Sequence, residues 1–227
     1  MTLILISMRD AADGLRRVDP GYKRPRGKIS FSKTEILHIT VAMVVLSAAF
    51  SIMMRGSTLD SDPTMNIIFI VGMSFILVIC SFLLHEFGHK FLAQRYNAWS
   101  EFRVYPFGLV MALVFSMAGF LFAAPGAVYI RGNIDKDTYG KVSLAGPGVN
   151  FVIAAISIAT AFSMSSGTLA YVIFQMLAYL NAFLGLFNMI PVPPFDGSKI
   201  VAWNIPVYLA AAAIGAVELA IVWLYLF

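Results

Sequence analysis

Five consecutive residues, His85-Glu86-Phe87-Gly88-His89, have the types and the spacing to do chemistry. On a helix, positions i and i+4 share a face, so both imidazoles can turn toward one ion. Glu86 stands beside the first of them, where it can take a proton from water that the ion activates. This is the H-E-x-x-H spacing of zinc hydrolases when it lies on a helix. So short a pattern also arises by chance, but the residues before it argue against chance here. Residues 67–84 carry no charge. Two histidines and a glutamate at the end of a run able to enter a bilayer are costly without a function.

The elements that must position this motif are apolar throughout. The chain has 227 residues, 59% hydrophobic and only 12% charged, whereas charged residues make up about 25% of an ordinary soluble domain. Several apolar runs of about twenty residues indicate a polytopic membrane protein. No linker or soluble module interrupts them, so residues 35–227 are expected to form a single transmembrane domain. Half of the sixteen Lys and Arg lie before residue 34. Residues 1–34 therefore read as a basic cytoplasmic N-terminal arm anchoring the first span, with no nucleic-acid partner. Cys80 is the single cysteine, can form no internal disulfide, and reads as a small core residue. No cleavable signal peptide is expected, because the apolar start Met1 to Met8 is short.

Spans are expected at about residues 36–54, 66–96, 144–164, 169–190 and 205–227. Near the start of the first, His38 reads as a hydrogen-bonded interfacial side chain. Lys90 and Arg95 close the second with charges suited to a helix C-terminus and a cytoplasmic face. Pro147 suits a first turn of the third, and Glu218, at depth in the last, is expected to pair with a polar group on another span. The stretch 100–131 is ambiguous. Phe107 to Ala124 is long enough to cross, yet Gly108, Gly119, Pro125 and Gly126 interrupt it. If it dips in and returns, all sixteen Lys and Arg except Arg55 lie on the N-terminal side; if it crosses, Arg131, Lys136, Lys141 and Lys199 change sides too. The positive-inside rule favours the first arrangement. The expected fold is an all-α polytopic membrane protein of about five transmembrane helices, with a membrane-embedded re-entrant or β-hairpin segment between the second and third. Such backbone is tolerated at membrane depth only where protein or a watery cavity satisfies it.

Three further stretches bear on function: Leu37-His38-Ile39-Thr40, Ala145-Gly146-Pro147, and Asn188-x-x-Pro191-x-Pro193-Pro194-x-Asp196-Gly197. Together with the histidine motif they resemble the site-2 protease family of intramembrane zinc metalloproteases over about residues 36–200. The resemblance is to minimal archaeal and bacterial members without PDZ or CBS modules, and only one span follows the aspartate. It implies one Zn2+ per chain held by His85, His89 and Asp196, with Glu86 as general base. Asn188 would hold the substrate or its developing oxyanion. The implied activity is hydrolysis of peptide bonds in or near transmembrane helices of membrane-protein substrates within the lipid bilayer. An edge strand of the hairpin would hold the substrate extended, and the active site would open toward the cytoplasm. The topology is tied to this ligand set, because a sixth crossing at 107–124 would carry Asp196 about 30 Å from the histidines.

Other readings use the same residues. A zinc-binding membrane scaffold or chaperone-like relative would keep the motif without turnover. A transporter would show an internal repeat, which the chain lacks. A prenyl-protein protease would need a second downstream Glu or His motif, which Glu218 alone does not supply.

Overall fold

The computed structural model describes residues 29–57, 61–120, 124–132 and 134–227, so most of the expected basic arm lies outside the described residues. In order the elements are α1 (Lys33–Met53), α2 (Pro63–Val78), a π turn (Ile79–Leu83), α3 (Leu84–Arg95), β1 (Trp99–Val104), α4 (Pro106–Met117), β2 (Gly126–Arg131), α5 (Lys136–Phe162), α6 (Leu169–Asn188), α7 (Asp196–Trp203) and α8 (Ile205–Tyr225). Among the described residues, five helical segments are long and apolar enough to cross a membrane: α1, the continuous rod Pro63–Arg95, α5, α6 and α8.

Each long helix starts where a polar side chain can accept from an otherwise unpaired first-turn N–H. Ser32 accepts from the Glu35 N–H, Asp62 from Thr64 and Met65, Asp135 from Thr138, Thr168 from Tyr171 and Asn204 from Val207. The Asp135 cap corrects one expectation. Helix α5 begins at Lys136, so Pro147 lies well inside it rather than in its first turn. Proline there removes one helical N–H, which a buried membrane helix tolerates where neighbouring groups satisfy the backbone.

The helices meet through small and aliphatic side chains. Met43, Leu46, Ala49 and Phe50 of α1 pack with Val78, Leu109 and Ala112, which seats α4 against α1 and α2. Ile70, Met73 and Leu77 of α2 meet Leu177 of α6. Ile158 and Ala161 of α5, Ala178 of α6 and Val222 of α8 form a further cluster. Alanine at such contacts lets helix backbones approach closely, which matters where lipid removes the hydrophobic drive to associate.

The segment between the second and third spans does not cross. β1 and β2 pair antiparallel, from Trp99 opposite Arg131 to Val104 opposite Gly126. The apolar run between them forms α4, whose 12 residues extend only about 18 Å at the helical rise. The hairpin's outer edge is closed by side chains from the helices. Glu35 Oε1 accepts from the Phe102 N–H at 2.9 Å, and Lys90 Nζ donates to the Ser100 carbonyl at 2.9 Å. His38 Nδ1 accepts from the Val104 N–H at 3.4 Å, so this histidine is hydrogen-bonded as expected.

Two charged residues depart from their expected settings. Lys90 is not a surface charge but fully buried, 2.8 Å from Glu35 Oε1 and 4.6 Å from the centre of the Phe31 ring. It ties α3 to α1 and to the hairpin, and a buried ammonium is tolerable only with such partners. Glu218 does not find the expected partner: it is buried on α8, and its Oε2 has no hydrogen bond among the described residues.

Candidate active site

The histidine motif occupies the first turns of α3, after the π turn. His85 and His89 lie about 15 Å and 9 Å from the end of the rod at Arg95, by the helical rise. Their Nε2 atoms are 3.1 Å apart. Asp196, the first residue of α7, brings its Oδ2 to 3.0 Å from His89 Nε2 and 3.6 Å from His85 Nε2. The three side chains are buried, offer ligand atoms that all lie within 4.8 Å of one another, and could hold a metal ion.

Close backbone approach makes this meeting feasible at two glycines. A methyl group at Gly146 on α5 would sit 2.7 Å from His85 Nε2 and nearer still to the His89 ring. At Gly197 it would collide with the Met189 carbonyl at the end of α6. The collision at Gly197 is with backbone, and the one at Gly146 could be relieved only by turning the two imidazoles away from each other and from Asp196, so glycine at these positions lets α5 and α7 close on the motif.

The donor set fits a metal. His89 Nδ1 lies 2.8 Å from the Val142 carbonyl, which can only accept, so the ring proton sits on Nδ1 and Nε2 carries a lone pair. His85 makes the corresponding contact with Asn150 Oδ1 at 2.5 Å. Two imidazole lone pairs and a carboxylate oxygen then face one another at close range, an arrangement that a cation satisfies. Asp196 Oδ1 is held 2.9 Å from Lys199 Nζ.

Glu86 and β2 form the other wall. Glu86 Oε2 accepts from the Val128 N–H at 3.1 Å. Because β-strand groups alternate, the N–H and C=O of Gly126, Val128 and Ile130 all point away from β1. They line a cavity of about 430 Å³ together with the motif. Asn188 is on the same cavity wall, with its amide turned back to donate to the Leu184 carbonyl at 3.0 Å.

The structure thus brings His85, Glu86, His89 and Asp196 together and places Asn188 at the rim of the same cavity. It adds Asn150, Asn181 and Lys199, which motif reading does not single out. Asparagines inside apolar spans were the available signal, since polar groups at depth are expensive. Lys199 shares a face of α7 with Asp196 three residues earlier.

Residues 163–208 match the model of peptidase family M50. The chain is 35% identical over 176 residues to a protein of Methanocaldococcus jannaschii named "Putative zinc metalloprotease", a match covering 77% of this chain and 86% of the relative. A Bacillus subtilis protein of the same description, YwhC, is 32% identical over 154 residues, covering 58% of this chain and 68% of the relative. A second Methanocaldococcus jannaschii protein, named "Zinc metalloprotease", is 29% identical over 126 residues, 56% of this chain but 32% of that relative. No solved structure matches. The chain belongs to peptidase family M50, the site-2 protease family.

Proposed function

We propose that this protein is an intramembrane zinc metalloprotease that cuts membrane-protein substrates in or near their transmembrane helices. The observation that carries the reading is the meeting of His85 Nε2, His89 Nε2 and Asp196 Oδ2 beside Glu86 and the free edge of β2. His85, His89 and Asp196 would hold one zinc per chain. Zinc supplies a Lewis acid that polarises a carbonyl and lowers the pKa of water to about 7.

The remaining steps belong to the chain's own side chains. Glu86 acts as general base, taking a proton from the attacking water at its carboxylate and returning it to the leaving amine. Asn188, released from the Leu184 carbonyl, donates its Nδ2 hydrogen to the developing oxyanion. A helical substrate shields its own amides and must unwind first. The outward N–H and C=O groups of β2 can pair with the unwound segment as an added strand, which fixes the scissile bond against the motif.

Residues 35–227 act as one domain in this reading, with the N-terminus and the site on the cytoplasmic side. The test is cleavage of a single-span substrate by the purified protein in liposomes, beside Glu86→Gln. Turnover by the wild type that the variant lacks supports the reading, whereas zinc binding without turnover identifies a scaffold. For orientation, Lys136→Cys in a Cys80→Ala background should react with a thiol reagent from the cytoplasmic face. Labelling from outside contradicts the assigned topology.

A further inference from the structure

Three buried side chains outside the motif converge on His85. Asn150 of α5 and Asn181 of α6 are fully buried, and Ser81 of the π turn nearly so. Asn150 Oδ1 lies 2.5 Å from His85 Nδ1, while its Nδ2 donates to the Ser81 carbonyl at 2.9 Å and to Asn181 Oδ1 at 2.8 Å. Asn181 Nδ2 donates to Ser81 Oγ at 3.0 Å and to the Leu177 carbonyl at 2.9 Å.

The direction of every bond in this chain is forced. The Ser81 and Leu177 carbonyls can only accept, so the nitrogen of each amide must face them. Asn181 then presents its oxygen to Asn150, and Asn150 presents its oxygen to the histidine. An oxygen at that place requires the His85 ring proton on Nδ1, which leaves the lone pair on Nε2, the atom facing His89 and Asp196. Reversing either amide would set oxygen against oxygen in a fully buried place, at the cost of an unsatisfied polar group.

The π turn takes part in this arrangement. The Leu84 N–H donates to the Ile79 carbonyl five residues back, so the turn is one residue wider than an α turn. Within it Ser81 offers both its carbonyl and its hydroxyl to the asparagines. Widened turns of this kind often mark functional sites in otherwise regular helices.

We propose that Asn150 and Asn181 are positioning residues that lock His85 in the tautomer able to bind metal through Nε2, using Ser81 of the π turn as their fixed reference. The proposal rests on the reading of His85 as a metal ligand. The asparagines touch neither substrate nor metal and act through the histidine alone. A partner behind a metal-binding histidine commonly sets metal affinity by about 10–100-fold.

The test uses the whole chain with 15N-labelled histidine, of which there are only three. Imidazole nitrogen shifts of the metal-free protein report which ring nitrogen carries the proton, and zinc titration gives Kd. For Asn150→Leu the expected result is loss of the pure Nδ1–H pattern at His85 and about 10–100-fold weaker zinc binding. His89 is the internal control, because its Nδ1 is held by the Val142 backbone; a general loosening of the fold would disturb both rings. Should Asn150→Leu fail to fold, Asn150→Ala removes the same acceptor without added bulk and carries the same expectation. An unchanged His85 pattern with unchanged zinc Kd in either folded variant overturns the proposal. Absence of zinc binding in the wild type would instead overturn the metal reading, while the metal-free tautomer pattern still decides the role of the asparagines.

Discussion

Glu86 Oε2 accepts the backbone N–H of Val128 at 3.1 Å, so the carboxyl beside the two histidines is tied to the free edge of the hairpin. A peptide that pairs with that edge needs the same N–H. Docking of an extended substrate would therefore free the carboxylate as the scissile bond arrives. Glu86→Gln keeps an oxygen to accept this bond but cannot take a proton. Its cleavage rate should fall by about 10²–10⁴-fold with zinc content unchanged. Wild-type turnover by Glu86→Gln in a purified assay would remove Glu86 from the base role.

The hairpin edge can be disturbed without touching the motif. A methyl group at Gly126 would meet the Arg103 carbonyl and lie 2.6 Å from Phe102 Cζ, so Gly126→Ala should splay the two strands. The expected variant binds zinc normally yet processes a membrane-helix substrate poorly, with the loss mainly in kcat/KM. Equal processing of that substrate by Gly126→Ala and the wild type would show that the strand pair does not present it.

Glu35 and Lys90 are both fully buried, with Lys90 Nζ 2.8 Å from Glu35 Oε1. Removing one partner leaves an uncompensated charge, so Glu35→Gln or Lys90→Met should cost about 3–5 kcal/mol. Exchanging both for apolar residues should recover part of that loss, leaving the Phe102 N–H as the remaining deficit, since the Ser100 carbonyl also accepts from Gln94 Nε2. Thermal unfolding in detergent of the two single variants and the double variant checks this, and additive losses would contradict a direct pair.

On α8, Glu218 is buried with an Oε2 that lacks a hydrogen-bond partner among the described residues. Relieving such a group should help. Glu218→Leu is expected to raise stability by about 1–3 kcal/mol and to leave zinc content unchanged, read by the same unfolding assay. A lower melting temperature would mean that the carboxyl is engaged in the native membrane.

Much of this arrangement was legible in the sequence, for identifiable reasons. The five spans follow from uninterrupted apolar runs, and the non-crossing hairpin from where Arg131, Lys136, Lys141 and Lys199 must lie. His85, Glu86 and His89 announce themselves by helical spacing. Asp196 has no local signal that points at them, and only the resemblance of its surrounding prolines and glycine connected it to the pair. Partnerships between distant residues were not legible. Lys90 looks like a helix-ending surface charge until Glu35 is seen across from it, 55 positions earlier in the chain. Asn150 and Asn181 read as isolated polar residues in apolar helices, because their meaning lies in bonds across three elements. Pro147 was misplaced because the Asp135 cap sets the true start of its helix at Lys136, about three turns upstream.

The central claim is that His85, His89 and Asp196 share one zinc. The most direct measurement is metal content per chain of the purified protein, taken side by side for the wild type and Asp196→Ala after equal exposure to zinc and to a mild chelator. The account predicts one zinc in the wild type and a large loss in the variant, with both remaining folded. Unchanged stoichiometry in Asp196→Ala, or a wild type that retains no zinc, would contradict it.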